Sequence, residues 1–426
     1  MNTIERFVSH SPFENGEHVA PSMSASEVQL GVSYHGSWDK DGDGFNEHVR
    51  RCARALFDAG CPVHLRSTGP HVYTGTPREL DPKLKPLLTA SVSRYSTSIH
   101  QVILQPSTIH ALVRHRMLTP EQSASVNRYK VLSTVFEKDS VPVDTIEVMK
   151  QFGQVWVACQ KNAQALVSLG LEAEKVRVVP VPFFADDPLV ALQQRAPKKG
   201  PVRFYHIGKW EPRKSQDVIL RAFFLAFEPG QAQLVLRCNG LTTPVADYPQ
   251  GPREAVQALL SDPAVKARGW TAETAQKSVE ILLQKLSAED LVKLHGFGDV
   301  YITLSRGEGF DMPAFDARLA GNLVVYTPSG GPLDFCGEQD VLVPATGSAP
   351  CHDFYAWEAG ATYLDFSLSD AVEALRKARL AARQPSLFNQ DEQMKRLDSF
   401  RAETVGQQML QNLRDLVGPE GKVFER

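Results

Sequence analysis

The sequence lacks the features that mark several classes of protein. Its six cysteines lie far apart and include no Cys-x-x-Cys pair, which argues against a zinc or disulfide framework and favours reduced thiols. The polar start of the chain is followed by no apolar segment of the kind found in signal peptides, and no apolar run is long enough to cross a membrane. From these absences we expect a cytoplasmic protein, and we leave open a peripheral position at the inner membrane surface.

An excess of charge of either sign is also missing. The chain has 46 Lys and Arg residues against 49 Asp and Glu residues, which leaves a net charge of −3. A protein held to nucleic acid mainly by its overall charge would be far more basic, so only a local basic patch could serve that purpose. One basic neighbourhood occurs, and it suits either an ordinary solvated face or contact with an anionic ligand; its members are Arg114, His115, Arg116, Arg128 and Lys130.

Short apolar runs alternate with helical patterns along most of the 426 residues. Runs rich in β-branched and aromatic residues are typical of buried parallel strands, and helices are the usual connections between such strands. A composition break that ends in Pro-Lys-Lys-Gly indicates a linker, and the segment before Gln284 is predicted as a helix. The pattern predicts an α/β protein with two doubly wound, Rossmann-like domains that face a central cleft. The predicted parts are an N-terminal arm over 1–27, a first domain over 28–187, a linker over 188–200, a second domain over 201–388, and a C-terminal helix over 389–426 that packs across both domains.

One stretch organises the second domain. Val300–Leu304 is a short apolar run that predicts a buried strand. Gly307 and Gly309 follow it, one on either side of Glu308, and they let the backbone turn tightly and come close to a bound group. The sequence therefore predicts a strand that ends in a glycine-flanked carboxylate.

A helix is predicted to begin directly after this turn. Pro313 suits the first helical turn, behind a cap at Asp311 or Met312, and Gly321 marks the end of the helix. The unpaired N–H groups of the first turn then form an anion-binding position beside Glu308. A second strand–turn–helix corner follows at once, so several helix N-termini face one crevice, and a diphosphate is a ligand that fits it.

These residues resemble a known family. The stretch from Ser305 to Pro313, followed by Asp316, resembles the Glu-x7-Glu motif of retaining glycosyltransferases with the GT-B fold, of the family-4 type. The stretch from Ile207 to Lys214 resembles the strand and loop that carry basic residues for the donor diphosphate in that family. The likeness covers most of residues 28–385 and is looser in the first half than in the second.

Three positions depart from the family's pattern. Asp316 stands where the second Glu is usual, so that carboxylate is one methylene shorter. Lys209 replaces the usual Arg, which exchanges a bidentate fork for a point charge. Cys159 stands where Ser is common. The first two changes keep the sign of the charge but could alter donor choice or positioning.

The resemblance implies a role for each residue of the two motifs. Glu308 would accept hydrogen bonds from hydroxyl groups of the donor sugar, and Asp316 would hold the ribose hydroxyls of the nucleotide. Lys209 and Lys214 would place positive charge at the diphosphate, where negative charge grows as the glycosidic bond breaks, and Arg213 is an alternate. The backbone that would face the sugar belongs to Gly309, Phe310 and Asp311.

Simpler explanations exist for some of these residues. An acid in the first turns of a helix, such as Asp316, gains about 0.3–1 kcal/mol from the helix dipole without any ligand. Lysine and arginine usually occupy a solvated face, and for Arg213 this alternative is as good as a functional one. Glu308, between two glycines, has no such alternative and is the main candidate.

The loop after the first predicted strand invites comparison with a calcium site. It matches the start of an EF-hand loop at Asp39, Asp41, Asp43 and Gly44. The twelfth position is Arg50 instead of the bidentate Glu that such a loop requires, so we predict no metal here. A metal-binding Asp-x-Asp of the other glycosyltransferase architecture and a plain flexible turn are the alternatives. We expect that Gly42 and Gly44 let the loop lie near a phosphate of the ligand.

The first domain is predicted to bind the acceptor through the loops after its strands. Candidate residues are His35, His110 and Glu137, although a lone histidine beside apolar residues, such as His110, is more often a packed side chain. The predicted function is transfer of a sugar from a nucleotide-diphosphate sugar to an acceptor hydroxyl with retention of anomeric configuration. The acceptor stays open among a polysaccharide, a lipid-linked sugar, a small molecule and a modified DNA base.

The predicted enzyme needs no metal and no tightly bound cofactor, because the nucleotide sugar is itself the donor substrate. Retention is implied by the resemblance, and attack from the same face is favoured over a covalent intermediate because no nucleophile is identified. The alternatives are a GT-B-fold epimerase, a phosphorylase, and a non-catalytic protein that binds nucleotide sugars on the same scaffold. A phosphorylase would need a lysine for pyridoxal phosphate, for which the sequence contains no supporting motif.

Overall fold

The computed structural model of the chain describes residues 30–36, 44–67, 87, 97–103, 129–138, 143–194, 198–239, 248–351, 362–384 and 390–417. Within these residues the chain forms two six-stranded sheets and one two-stranded sheet. All paired strands of the two large sheets are parallel. The predicted α/β class with two doubly wound halves is confirmed.

The first half of the chain forms the first sheet. Its strands are β1 (Val32–Gly36), β2 (Val63–Ser67), β3 (Thr97–Ile103), β4 (Tyr129–Val135), β5 (Gln154–Val157) and β6 (Val176–Val178). Their order in the sheet is β2-β1-β3-β4-β5-β6. The described helices of this half are α1 (Gly44–Asp58), α2 (Val143–Met149) and α3 (Gln160–Ser168).

Burial explains these elements. All four residues of β5 are buried, as expected of a strand that is covered on both faces. In α1, Val49, Ala53 and Leu56 recur at helical spacing and lie in the same core cluster as Val32 and Tyr34 of β1. The apolar stripe of the helix therefore packs against the sheet.

The second half forms the second sheet after a short helix, α4 (Pro188–Ala191). Its strands are β7 (Val202–Lys209), β8 (Ala232–Asn239), β9 (Val279–Leu282), β10 (Val300–Thr303), β11 (Leu323–Tyr326) and β12 (Val341–Leu342). Its helices are α5 (Gln216–Ala226), α6 (Pro252–Ser261), α7 (Pro263–Ala267), α8 (Ala272–Ser278), α9 (Ala288–Phe297), α10 (Met312–Leu319), α11 (Pro332–Phe335) and α12 (Leu368–Ala381). The antiparallel pair is β13 (Gly347–Pro350) and β14 (Thr362–Asp365).

The direction of strand addition reverses beside β7. In the order β12-β11-β10-β7-β8-β9, the chain passes outward from β7 to β9 and then places β10 on the other side of β7. Open α/β sheets bind ligands beyond the carboxyl ends of the strands at such a switch point. The loops after β7 and β10 therefore lie where a ligand is expected.

The last two described helices contact both halves. Helix α13 (Gln390–Leu397) places Leu397 in a core cluster of the second half. Helix α14 (Ala402–Val417) places Val405 and Met409 in the core of the first half. A Cβ atom on Gly406 would overlap the carbonyl oxygen of Ala55, so only glycine permits this close crossing of α14 over α1.

Two segments differ from the sequence-based expectation. The segment before Gln284 contains a strand, β9, which pairs with β8 in the sheet, where we expected only a helix. The segment predicted as a linker contains helix α4, and Leu189 of that helix is buried in the core of the second half. Pairing with β8 decides the conformation of β9, and burial of Leu189 decides that of α4; the local pattern carries too little signal to show either. None of the helices in the described ranges combines the length and the apolar character that crossing a bilayer requires.

Candidate active site

The turn between β10 and α10 is built around Asp311. Its backbone adopts a left-handed conformation with φ of 65°, which aspartate tolerates better than most residues. Asp311 Oδ1 accepts a hydrogen bond from the backbone N–H of Ala314 at 3.4 Å and so caps the helix. Asp311 Oδ2 accepts a hydrogen bond from Thr303 Oγ1 at 2.6 Å. Burial, together with the nearby Glu308, raises the pKa of Asp311 to about 6.

Close backbone packing holds the loop that carries Glu308. A Cβ atom on Gly330, whose φ is +60°, would overlap the carbonyl oxygen of Glu308, so the glycine-rich turn after β11 lies directly against this loop. A Cβ atom on Gly307 would overlap the carbonyl oxygen of Glu137, and one on Gly309 would lie 2.7 Å from Cβ of Val135. The loop is therefore packed between the second glycine-rich turn and the end of β4 in the first half.

The side chain of Glu308 is 4% exposed and contacts two cations. Lys214 Nζ donates a hydrogen bond to Oε1 of Glu308, and Nη1 of Arg213 lies 3.3 Å from the same oxygen. Burial by itself would raise the pKa of Glu308, but Lys214 and Arg213 outweigh it and lower the pKa below its ordinary value. Burial would likewise lower the pKa of Lys214, and Glu308 raises it instead. Both side chains of the pair therefore stay charged.

Arg213 joins the two halves at this cluster. Its Nη2 lies 2.6 Å from Oε1 of Glu211 and 3.1 Å from Oε1 of Glu137, which follows β4 in the first half. Its Nη1 donates a hydrogen bond to the carbonyl oxygen of Gly307 at 2.6 Å. Arg213 is buried, and these contacts fix its guanidinium group beside Glu308. The solvated-face alternative for Arg213 does not describe this structure.

Asp316 lies on α10 and contacts the first half. Nη1 and Nη2 of Arg51, on α1, each lie 3.3 Å from Oδ1 of Asp316, and Arg51 Nε donates a hydrogen bond to Oε1 of Glu47 at 3.0 Å. Burial raises the pKa of Asp316 to about 6; Arg51 lowers it, while Asp187 and Glu47 raise it further. The pKa of Asp316 is thus shifted in the direction opposite to that of Glu308.

The other predicted donor residues lie around this cluster. Lys209 ends β7 with an exposed side chain. Gly44 begins α1, and a Cβ atom there would lie 3.3 Å from Cγ of Met312, so the N-termini of α1 and α10 are neighbours. Phe310 is buried, and its ring packs against Phe315 at a centroid distance of 5.1 Å, within an aromatic cluster that also contains Phe335 and Phe400. Its side chain belongs to the core, which leaves only its backbone for a ligand.

The predicted acceptor residues are only partly described. His35, on β1, is half-buried, and its Nε2 lies 2.9 Å from Oγ of Ser33. Glu137 is in the cluster around Arg213, as described above. His110 and the aspartates of the loop over 39–43 lie outside the described residues, as do Arg114, His115, Arg116 and Arg128 of the basic neighbourhood. Cys159 is buried at the start of α3, and burial raises the pKa of its thiol to about 12.

Two charged residues of this region were missed by sequence reasoning. Glu211 sits in the loop after β7, and its acid in the sequence Glu-Pro-Arg-Lys was a usable signal for a contact with Arg213. Arg51 lies 265 positions from Asp316 in the sequence, and its helical pattern carried no sign of that partner. Across the described ranges, no three His, Cys, Asp or Glu side chains are grouped so that they could hold a metal ion.

Comparison with known proteins shows a shared fold. No family model matches the sequence, and no curated protein matches it either. HepE (Alr3699) of Anabaena, crystallised with UDP and glucose, is 15% identical, with 91% of this chain and 100% of that chain covered and a TM-score of 0.56. A glycosyltransferase of Rickettsia africae is 10% identical, with 92% and 100% covered and a TM-score of 0.60. Sucrose-phosphate synthase of Thermosynechococcus elongatus is 15% identical, with 91% and 99% covered and a TM-score of 0.58. Likeness over nearly the whole of each chain at so low an identity shows the fold, which is the GT-B architecture of two Rossmann-like domains.

Proposed function

We propose that the protein is a glycosyltransferase that moves a sugar from a nucleotide-diphosphate sugar to an acceptor hydroxyl with retention of anomeric configuration, as in the family-4 type. The observation that carries the proposal is the position of Glu308. It lies at the switch point of the second sheet, ionised and held by Lys214 and Arg213 from the loop after β7. A fixed carboxylate is a good acceptor for sugar hydroxyls, which are hydrogen-bond donors.

The chemistry requires positive charge where the leaving diphosphate develops negative charge. The exposed Lys209, at the end of β7, and Lys214, in the loop after it, supply this charge. The N–H of Ala314 is bonded to Asp311 and Pro313 has none, so the first turn of α10 contributes mainly through the helix dipole. The N-terminus of α1 at Gly44 lies next to that of α10, so the dipoles of both helices favour an anion at this place. Arg213, held by Glu211 and Glu137, is better placed to orient Glu308 than to leave it for a phosphate.

We favour attack from the same face of the sugar. The bond between the anomeric carbon and the diphosphate oxygen breaks, the acceptor oxygen bonds to the same carbon, and the leaving phosphate takes the acceptor's proton. Glu308 is paired with two cations in this scheme and hydrogen-bonds the sugar instead of forming a covalent bond to it. Trapping of a glycosyl-enzyme on any carboxylate would contradict this mechanism.

The second half is proposed as the donor domain and the first as the acceptor domain. HepE was crystallised with UDP-glucose, and a trehalose-phosphate synthase of Burkholderia vietnamiensis is described as UDP-forming, so sugars of UDP are the first donors to test here. For the acceptor, the contact of Glu137 with Arg213 supports a role for Glu137 at the junction of the halves. The acceptor classes remain a polysaccharide, a lipid-linked sugar, a small molecule and a modified DNA base, and the proposed location is the cytoplasm.

The test begins with a thermal-shift screen of UDP, GDP and ADP sugars. A ligand at one hundred times its Kd adds about 2.7 kcal/mol to the free energy of unfolding, so a true donor is readily detected. The donor that stabilises the protein is then incubated with wild type and Glu308→Ala, and the released nucleotide diphosphate is measured. We expect slow release that depends on Glu308.

The alternatives give different results in the same assay. An epimerase converts the donor sugar into its epimer, which chromatography of the reaction mixture detects. A non-catalytic binding protein is stabilised by the nucleotide sugar but releases no nucleotide diphosphate. Equal release by wild type and Glu308→Ala would contradict the role of Glu308.

A further inference from the structure

The contact between Arg51 and Asp316 has a geometry that a simple ion pair would not require. Both terminal nitrogens of the guanidinium lie 3.3 Å from Oδ1 of Asp316. Within the described residues, Oδ2 of Asp316 accepts no hydrogen bond, and the side chain as a whole is 21% exposed. A guanidinium that faces a carboxylate usually bonds both oxygens in parallel. Among the described residues, one oxygen of this carboxylate is therefore occupied and the other accepts no hydrogen bond.

The side chain of Arg51 is itself fixed from the other side. Its Nε donates to Oε1 of Glu47, and the second oxygen of Glu47 lies 3.3 Å from Nη1 of Arg50. Arg51 is only 11% exposed, so these contacts leave its guanidinium little freedom. The contacts among Arg50, Glu47 and Arg51 on α1 therefore fix the guanidinium group that covers Oδ1 of Asp316.

We propose that Arg51 is a positioning residue for the ribose of the donor: it holds Asp316 through Oδ1 and thereby presents Oδ2 to the ribose hydroxyls. The inference rests on the proposed function and on the ribose-binding role that the family resemblance implies for Asp316, and it adds a contribution from the other half. Arg51 belongs to α1 and Asp316 to α10, so the ribose position is complete only when the two halves are together.

The physical reason is orientation. The carboxylate of an aspartate can rotate about two side-chain torsions. A hydrogen bond that a ribose hydroxyl donates to it weakens if the acceptor oxygen points elsewhere. Hydrogen bonds to a charged acceptor are worth about 1.5–3 kcal/mol, which corresponds to roughly 10–100-fold in affinity. Loss of the orienting group should therefore reduce the preference for a nucleotide that carries both ribose hydroxyls.

The test compares affinities by titration calorimetry. Among UDP, GDP and ADP, the one that binds wild type most tightly is compared with its 2′-deoxy and 3′-deoxy analogues. We expect at least one analogue to bind wild type about tenfold more weakly than the parent nucleotide. In Arg51→Ala this ratio should fall to about twofold or less, and in Arg51→Lys, which keeps a point charge, it should be intermediate.

A matched control comes from the same helix. Arg54 contacts Asp58 and Asp186 at 3.5 Å and lies over the ring of Phe184, away from Asp316. Arg54→Ala removes the same charge and should keep the wild-type ratio. Asp316→Asn, which keeps the shape of the side chain, should lower this affinity ratio as far as Arg51→Ala does. The double variant should lower the ratio no further than either single variant. Arg51→Lys and Asp316→Asn keep the test decisive if Arg51→Ala does not fold.

The outcomes separate this inference from the proposed function. If wild type binds none of the three nucleotides, the proposed function fails and the inference fails with it. If wild type binds a nucleotide but does not distinguish the deoxy analogues, the inference alone fails. It also fails if Arg51→Ala binds the parent and the analogues more weakly by the same factor, because Arg51 would then act on the diphosphate and not on the ribose.

Discussion

The loop that carries Glu308 and the helix that carries Asp316 hold their carboxylates in different ways, although they adjoin in the sequence. Glu308 contacts two cations of its own half, Lys214 and Arg213. Asp316 contacts one cation, Arg51, which comes from the other half. The loop is also wedged between two other backbone segments, whereas Asp316 projects from a regular helix.

The difference shows that burial alone does not decide the charge of a carboxylate. Burial favours the protonated form of both groups. Two adjacent cations outweigh burial at Glu308 and lower its pKa, whereas Asp316 shares one arginine with Glu47 and has a pKa of about 6. The pKa of one acid of the motif is therefore lowered by its neighbours, and that of the other is raised to about 6.

The largest expected effect is that of Glu308→Gln, which removes the negative charge and keeps the shape of the side chain. We expect release of nucleotide diphosphate from the donor to fall about 10³-fold, because the sugar loses its charged hydrogen-bond acceptor. A steady-state assay of nucleotide diphosphate release measures this loss. The control is Glu289→Gln on α9, where the side chain is 79% exposed, and turnover should stay within about twofold of wild type. A larger loss of turnover in Asp316→Asn than in Glu308→Gln would contradict this ranking of the two carboxylates.

The next effect is that of Lys214→Ala, which removes one of the two cations beside Glu308. Turnover should fall about 10²-fold, because the variant loses charge at the diphosphate. Without Lys214 the pKa of Glu308 rises, so the acidic limb of the pH–rate profile should move to higher pH. Lys277→Ala, at an exposed ion pair on α8, is the control and should change neither quantity. An unmoved acidic limb would show that Lys214 does not keep Glu308 ionised.

A smaller effect is expected from Gly330→Ala, which tests the packing of the loop. The alanine must adopt a left-handed backbone conformation, and its Cβ atom would overlap the backbone of Glu308. We expect a loss of about 2 kcal/mol in the free energy of unfolding and about tenfold in turnover. Gly251→Ala is the control, because its φ of −174° is extended and no atom lies within 4 Å of the added Cβ. A variant with normal turnover would show that the loop does not depend on this contact.

The smallest effect is the pH dependence of Asp316→Asn. The pKa of Asp316 rises on folding from its ordinary value of 3.8 to about 6, so the folded chain binds this proton more tightly than the unfolded chain. The stability that it contributes is complete below pH 3.8 and is lost as the pH rises through about 6. Asparagine resembles the protonated acid, so the free energy of unfolding of the variant relative to wild type should rise by about 2 kcal/mol between pH 4 and pH 7.

Denaturant unfolding at a series of pH values measures this difference. Asp290→Asn on α9 gives a control of opposite sign, because hydrogen bonds from Ser287 and Lys293 lower the pKa of Asp290. Its relative stability should fall as the pH rises, since its contribution is present above the ordinary pKa and lost in acid. A flat or falling curve for Asp316→Asn would show that Arg51 outweighs burial at this carboxylate.

Much of the fold was accessible to sequence reasoning where the signals were local. The apolar run at Val300–Leu304 predicted β10, which spans Val300–Thr303, and the cap and proline predicted the start of α10 at Met312. Strand β9 was missed because Val279–Leu282 is only partly buried and follows α8 without a turn signal. Its conformation comes from pairing with β8, which is a contact between distant segments.

The candidate site divides in the same way. Glu308 was singled out because a carboxylate between two glycines after a strand is an unusual local pattern. That Arg213 reaches Glu137 of the first half, and that Phe310 turns its ring into the core, became visible only once the two sheets were placed together. The roles proposed for these residues remain predictions to be measured.

The amino-acid sequence by itself determined the alternation of strands and helices, the turn chemistry around Asp311, and the presence of two acids eight positions apart, because periodicity, caps and glycine turns act over a few residues. Only the tertiary structure decided which cation meets which acid. Arg51 and Asp316 lie 265 positions apart and meet because both halves pack together, with α14 lying across α1. The opposite pKa shifts of the two acids follow from that placement, since electrostatic interactions depend on distance in space and not on separation along the chain.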